Sequence, residues 1–131
     1  MANENPKDYY YTKTHEWVKV EDEVCICGIT DHAQHALTDI VFVELPEKGA
    51  SASQGKRIAV VESVKSVSDI YAPVSGEVIE VNQELSNAPE MINDHPYSQG
   101  WIFKIKASNL KELASLLSTS DYEKLVKEET H

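Results

Sequence analysis

Apolar residues in this chain recur at every second position in short runs broken by turn residues, the pattern of half-buried strands rather than helices. Tyr9 to Tyr11 and Trp17 to Val20 carry the first two runs. The polar turn Glu21-Asp22-Glu23 separates them from Val24 to Ile29, a strand of small and β-branched residues closed by Gly28. Thr30 or Asp31 can cap a short helix over 31–37 by accepting a backbone N–H. Ile40 to Leu45 predicts another strand, ended by Pro46 and a Lys48-Gly49 turn. Arg57 to Glu62 and Val67 to Tyr71 predict two more, joined by the tight connection Ser63-Val64-Lys65-Ser66. Ala72-Pro73 halts the second, because proline has no N–H for a strand ladder. Ser75-Gly76 turns the chain into a strand over 77–82, a loop-rich stretch runs from Asn82 to Gly100, and Trp101 to Lys106 is the last strand.

Beyond Ala107 the period changes. Leu110, Leu113, Leu116 and Leu117 fall at helical spacing behind Ser108 or Asn109. Ser120-Asp121-Tyr122-Glu123 resembles a capping box opening a second helix with Tyr122, Leu125 and Val126 on its apolar face. Many short strands followed by helices predict a mostly β fold, a sandwich or flattened barrel with a short internal helix and a helical C-terminus. A chain of 131 residues fits one domain. Within it, 1–8 is expected to be a flexible N-terminus and 108–128 a helical segment.

Charge narrows the partners. Twelve Lys and Arg against 22 Asp and Glu give a net charge of -10, which disfavours nucleic acid and anionic membranes and suits docking on more basic proteins. No apolar run approaches the roughly 20 residues of a membrane helix. Met1 to Asp8 resembles neither a signal nor a transit peptide, so a cytoplasmic protein is expected, or one of the mitochondrial matrix if a presequence was removed. Cys25 and Cys27 share one face of their strand and read as small apolar residues, since zinc pairs want wider spacing and a second pair.

Ordinary catalytic machinery is missing. The five glycines are scattered, with no phosphate-cradling loop, no nucleophile elbow and no zinc-helix motif. His32 and His35 could share a helix face but have no evident third ligand, so no metal is expected. His15-Glu16 invites an acid–base pairing of a kind common on surfaces. Lys65, at a hairpin tip, offers a mobile amine on a rigid platform, although a lysine there is usually only a solubilising charge.

The surrounding string alters that balance. Val61-Glu-Ser-Val-Lys-Ser66, followed by Ser68-Asp-Ile-Tyr-Ala-Pro-Val-Ser-Gly-Glu77, closely resembles the lipoylation hairpin of glycine cleavage H proteins. His15-Glu-Trp-Val18, Gly28-Ile-Thr-Asp-His-Ala-Gln34, Asp39-Ile-Val-Phe-Val-Glu-Leu-Pro46, Pro96-Tyr97 and Gly100-Trp101 extend the resemblance, in order, from about Tyr10 to Lys106. Biotin carriers flank their lysine with methionines, and lipoyl domains of 2-oxo acid dehydrogenases use Asp-Lys-Ala; neither occurs here. Thr38 and Ser98 stand where the family commonly has glycine, and His35-Ala36 departs from members with a histidine near the end of the short helix.

The resemblance implies a hybrid β-sandwich of the lipoyl/biotinyl type and a non-catalytic carrier, expected as a monomer, with lipoic acid on Lys65. Glu62, Ser63, Val64 and Ser66 are then the hairpin recognised by a lipoyl or octanoyl transferase or a lipoate ligase. The arm accepts an aminomethyl group from a pyridoxal-phosphate glycine decarboxylase, delivers it to a tetrahydrofolate-dependent aminomethyltransferase, and is reoxidised by dihydrolipoyl dehydrogenase. Glu16, Asp69 and Thr14 are the candidates for the cleft that holds the loaded arm. A lipoate-relay carrier with the same hairpin, or a metal-assisted enzyme using His32 and His35, are the alternatives.

Overall fold

The computed structural model describes residues 4–129. In chain order the strands are β1 (Tyr10–Tyr11), β2 (Glu16–Glu21), β3 (Val24–Ile29), β4 (Ile40–Glu44), β5 (Ser51–Ala52), β6 (Arg57–Ser63), β7 (Val67–Tyr71), β8 (Gly76–Val81) and β9 (Phe103–Ala107). Helix α1 (Asp31–Leu37) joins β3 to β4, α2 (Met91–Asp94) lies before β9, and α3 (Thr119–Glu129) ends the described chain. Six strands form one sheet in the order β1-β2-β3-β9-β8-β5, and β4-β6-β7 form a second; neither closes on itself. The expected mostly β sandwich with helical additions is therefore present as two open sheets.

One core lies between them. Val18, Cys25, Cys27, Val78, Phe103 and Ile105 of the larger sheet belong to the same buried cluster as Ile40, Val43, Ala59, Val61 and Ile70 of the smaller. Period-two alternation produces this directly: Cys25 and Cys27 go inward together, as their spacing requires. Burial pushes the Cys27 thiol up, so it stays an uncharged apolar filler.

The outer face of the larger sheet carries a second cluster of Tyr11, Trp17 and Tyr122. Trp17 pairs with Gly28 across β2 and β3. A Cβ at Gly28 would lie 2.7 Å from the Trp17 indole nitrogen, so the glycine is what lets the ring lie flat on the sheet. The indole N–H donates to Pro96 O at 2.9 Å, and Tyr11 stacks on Tyr122 of α3 with centroids 4.7 Å apart.

Three segments differ from the sequence expectation. The leucines of 110–117 form a 3-10 helix over Leu110–Ser115, and Leu117 leaves it to bridge with Tyr11 through backbone bonds of 2.7 and 2.9 Å. Sheet pairing outside the segment thus overrides its helical spacing. Helix α3 is capped two residues earlier than the capping box suggests, with Ser118 Oγ accepting from Asp121 N. The 82–100 loop contains α2 and a 3-10 turn, held by Asn82, whose amide donates to Gln99 O and Trp101 O. Of the expected flexible N-terminus, 1–3 lie outside the described residues, while Pro6 O accepts from Tyr11 and Thr119 hydroxyls.

Of the two positions where glycine was expected, only Thr38 adopts a glycine conformation, with φ 65° and ψ −147°. Three hydrogen bonds, two of them made by the Asn93 side chain, hold the turn there. Its N–H donates to Gln34 O, its carbonyl accepts from Asn93 of α2, and Asn93 also accepts from Ile40 N. A threonine in this region is strained by roughly 1–3 kcal/mol. Thr38→Gly should therefore raise unfolding stability by about 1 kcal/mol in urea titrations, after the entropy that glycine adds to the unfolded chain. Gly28→Ala should lower it by about 1–3 kcal/mol, because the new methyl collides with Trp17.

Candidate functional site

Strands β6 and β7 pair antiparallel, with Val61 opposite Ser68 and Glu62 opposite Val67. Val61 and Ile70 point into the core and fix this hairpin to the body. At its tip Ser63 N donates to Ser66 O at 2.8 Å, while Ser63 Oγ accepts from Lys65 N and Ser66 N at 3.2 and 3.0 Å. Val64 N donates to Asp39 O, tying the turn to the start of β4. A serine is needed at position 63 because its short side chain can close the turn from within. Lys65 is thereby presented outward on a backbone with little freedom, and its amine reaches Ala36 O of α1 at 3.4 Å.

Around the lysine the surface is apolar. Val64 is 71% exposed, Val67 64%, and Val41 and Phe42 of the neighbouring β4 are each 52% exposed. Exposed apolar side chains gathered in one place on so acidic a chain mark a surface that meets another protein. Motif reading singled out Glu62 to Ser66 but missed Val41 and Phe42, which are distant in sequence and adjacent only through the β4–β6 pairing of Phe42 with Glu62.

Glu16 is only 1% exposed. Thr12 and Thr14 hydroxyls donate to its Oε1, and the Tyr71 N–H donates to Oε2 at 3.2 Å. Strand β7 is the edge of its sheet, so its outward N–H at Tyr71 is free to bond across to β2. This carboxyl thus joins the two sheets at the foot of the lysine hairpin. Thr14, Glu16 and Tyr71 line a cleft of about 210 Å³ with Tyr11, Pro73 and Leu117. Asp69 does not line it; it lies two residues nearer the tip, exposed, with Arg57 at 3.8 Å. A second, shallower cleft of about 470 Å³ is lined by His32, His35, Ala36, Asp31, Asn5 and Val126, with the Lys65 amine bonded at its rim.

The suspected His15-Glu16 pairing is split by the fold. Glu16 faces the cleft, whereas His15, at φ 73°, turns to Tyr122 and Glu129 of α3. His32 packs on His15 with ring centroids 4.7 Å apart.

The chain matches the family model described as Glycine cleavage H-protein over residues 9–129. It is 54% identical over 124 residues to the glycine cleavage system H protein of Carboxydothermus hydrogenoformans, covering 95% of each chain. It is 56% identical over 125 residues to that of an Escherichia coli O7:K1 strain, covering 95% of this chain and 97% of the other. The crystal structure of a glycine cleavage system H protein from Mycobacterium marinum superposes with a TM-score of 0.85 at 39% identity, covering 92% of this chain and 97% of that one. Among the described residues no helix is long and apolar enough to cross a membrane.

Burial raises the Glu16 carboxyl above the ordinary glutamate range, and the bonds from Thr12, Thr14 and Tyr71 N pull it partly back. The folded chain therefore keeps this proton to higher pH than the unfolded chain. The group's contribution to stability falls as pH rises from the ordinary glutamate value through its raised one. Thr14→Val should move the Glu16 titration further upward in carboxyl ¹³C NMR and cost about 1–3 kcal/mol at neutral pH, the worth of a hydrogen bond to a charged group. An unchanged titration would show that the Thr14 hydroxyl does not act on the carboxylate.

Proposed function

The chain belongs to the glycine cleavage H-protein family, a family of lipoyl carrier subunits rather than catalysts, and on that premise we propose that Lys65 bears the lipoyl group of a glycine cleavage carrier. The observation that carries this reading is the amine of Lys65 held at the tip of a serine-closed hairpin inside an exposed apolar surface.

The residues fit such an arm. Lys65 has an exposed amine for a lipoyl or octanoyl transferase or a lipoate ligase to acylate, and Glu62, Ser63, Val64 and Ser66 supply the turn such an enzyme grips. Val41 and Phe42 enlarge that grip. Acylation removes the lysine charge, leaving Glu62 as the charged residue of the turn. A bound lipoyl group supplies thiol–disulfide exchange, the chemistry by which glycine's aminomethyl group is taken up and released.

Reach is consistent with a resting place at Glu16. Lys65 and Tyr71 are six residues apart, roughly 15–20 Å of strand at ~3.3 Å per residue. An extended lipoyl-lysine chain of a dozen or so bonds spans on the order of 15 Å. The cleft of Thr14 and Glu16 at the foot of β7 thus lies near the limit of an arm swung along the hairpin. There a buried carboxylate would hold a basic aminomethyl adduct away from water. Asp69, exposed midway along the path, adds negative charge without lining the cleft. Ala36 contributes only its carbonyl, so the short helix offers the arm a backbone acceptor in place of a histidine side chain.

On this reading the carrier is cytoplasmic and visits three enzymes in turn. They are the pyridoxal-phosphate glycine decarboxylase, the tetrahydrofolate-dependent aminomethyltransferase and dihydrolipoyl dehydrogenase. Its net charge of -10 favours fast, salt-sensitive encounters with basic faces on these partners.

Tryptic digestion of protein made with lipoate and its ligase tests the assignment. Acylated Lys65 resists trypsin, so a single fragment from Ile58 to Lys104 carrying one lipoyl amide is expected. Lys65→Arg should abolish both the modification and glycine decarboxylation by the assembled system. A free, cleaved Lys65 under these conditions would refute the arm.

A further inference from the structure

Three donors from separate parts of the sequence meet beside the first turn of α1. His15 precedes β2, His32 is the second residue of α1, and Glu129 is the last of α3. Their nearest ligand atoms all lie within 4.8 Å of one another. The Glu129 carboxylate is 2.9 Å from His15 Nε2 and 3.9 Å from His32 Nε2. We propose that His15, His32 and Glu129 form a binding site for a divalent transition ion of the zinc class, one that clasps the C-terminal helix to the sheet.

The two Glu129 distances suit such an ion. Bonds of roughly 2.0–2.1 Å to a tetrahedral zinc put neighbouring donors about 3.4 Å apart, and the two measured separations from Glu129 bracket that value. Two imidazoles and one carboxylate are a borderline donor set, chosen by zinc and its neighbours over magnesium or calcium. Three protein donors leave the fourth position to water.

Orientation is the stronger argument. The other ring nitrogen of His15, Nδ1, is 2.7 Å from the Tyr122 hydroxyl, which in turn lies 2.6 Å from Thr30 Oγ1. Ligand histidines are characteristically fixed in this way, by a partner on the nitrogen that does not bind metal. Tyr122 is fully buried and Thr30 caps α1, so the chain of bonds sets both His15 and the helix start that carries His32. Glu129, on the exposed end of α3, and His32, partly exposed, adjust around the fixed His15 to bring all three donors within bonding range. The sequence offered His32 with His35 but no third ligand, and no metal was expected; the fold brings His15 beside His32 across a strand–helix junction.

An ion here would tie three segments together at the residue directly preceding Glu16.

Calorimetric titration of the tag-free full chain with zinc chloride tests the site, with Co²⁺ absorption in the visible as a second readout of four-coordination. One equivalent should bind saturably and raise the melting temperature. His32→Ala and Glu129→Gln should each weaken binding by tenfold or more, and both alter exposed or half-exposed groups whose loss leaves the core intact. His35→Ala should bind as the parent does. No saturable binding, undiminished binding by His32→Ala, or loss of binding in His35→Ala would each overturn the proposal.

Discussion

The antiparallel register that sets Trp17 of β2 against Gly28 of β3 is the constraint from which most of this structure follows. With no side chain at Gly28, the indole lies on the sheet and donates to Pro96, and a large apolar ring is buried at a worth of about 2–3 kcal/mol. Neighbours of this pair then take up fixed positions. Glu16, one residue before Trp17, lies opposite Ile29 and faces the β7 edge. Thr30, two residues after Gly28, caps α1 and meets Tyr122. Two segments far apart in sequence are thereby locked to one another, with α3 packed over both.

The carrier geometry depends on a second, local device. A hairpin whose inward residues are buried valine and isoleucine cannot slide, since a one-residue slip would turn Val61 and Ile70 to water. Its tip closes through the Ser63 side chain rather than a glycine, leaving a lysine outward on a stiff backbone. Rigidity in the platform and freedom in the side chain are what a tethered group needs to visit several sites.

The two ends of the hairpin have opposite character. At the tip, valines and Phe42 are exposed on an otherwise strongly acidic protein, a surface suited to being covered repeatedly by other proteins. At the foot, a buried carboxylate is held by two threonine hydroxyls and an edge-strand N–H. Such a group is costly to bury without partners, and its three donors offset that cost. The arrangement places a buried, hydrogen-bonded carboxyl at the foot of the hairpin that carries Lys65 at its tip.

Much of this was legible in the chain itself. Strand periods, the Thr30 cap, the inward cysteines and the lysine hairpin are local features, decided by residues within a few positions of each other. The motif resemblance pointed to Lys65 and to Glu16, Asp69 and Thr14, because each lies within or beside a contiguous motif string, and their roles are the proposal made above. What the tertiary structure decided is everything that required pairing across distance. It drew Leu117 out of its helical repeat to bridge Tyr11, since an open sheet edge competes for backbone bonds more strongly than a short helix can. It held Thr38 in a conformation suited to glycine, because Asn93, more than fifty residues away, bonds the turn on both sides. It paired Phe42 of β4 with Glu62 of the lysine hairpin, left Asp69 outside the Glu16 cleft, and parted His15 from Glu16 to join it with His32 and Glu129. Side-chain alternation is a property of neighbours in sequence; which neighbours meet in space is set by strand register and by the burial that register permits.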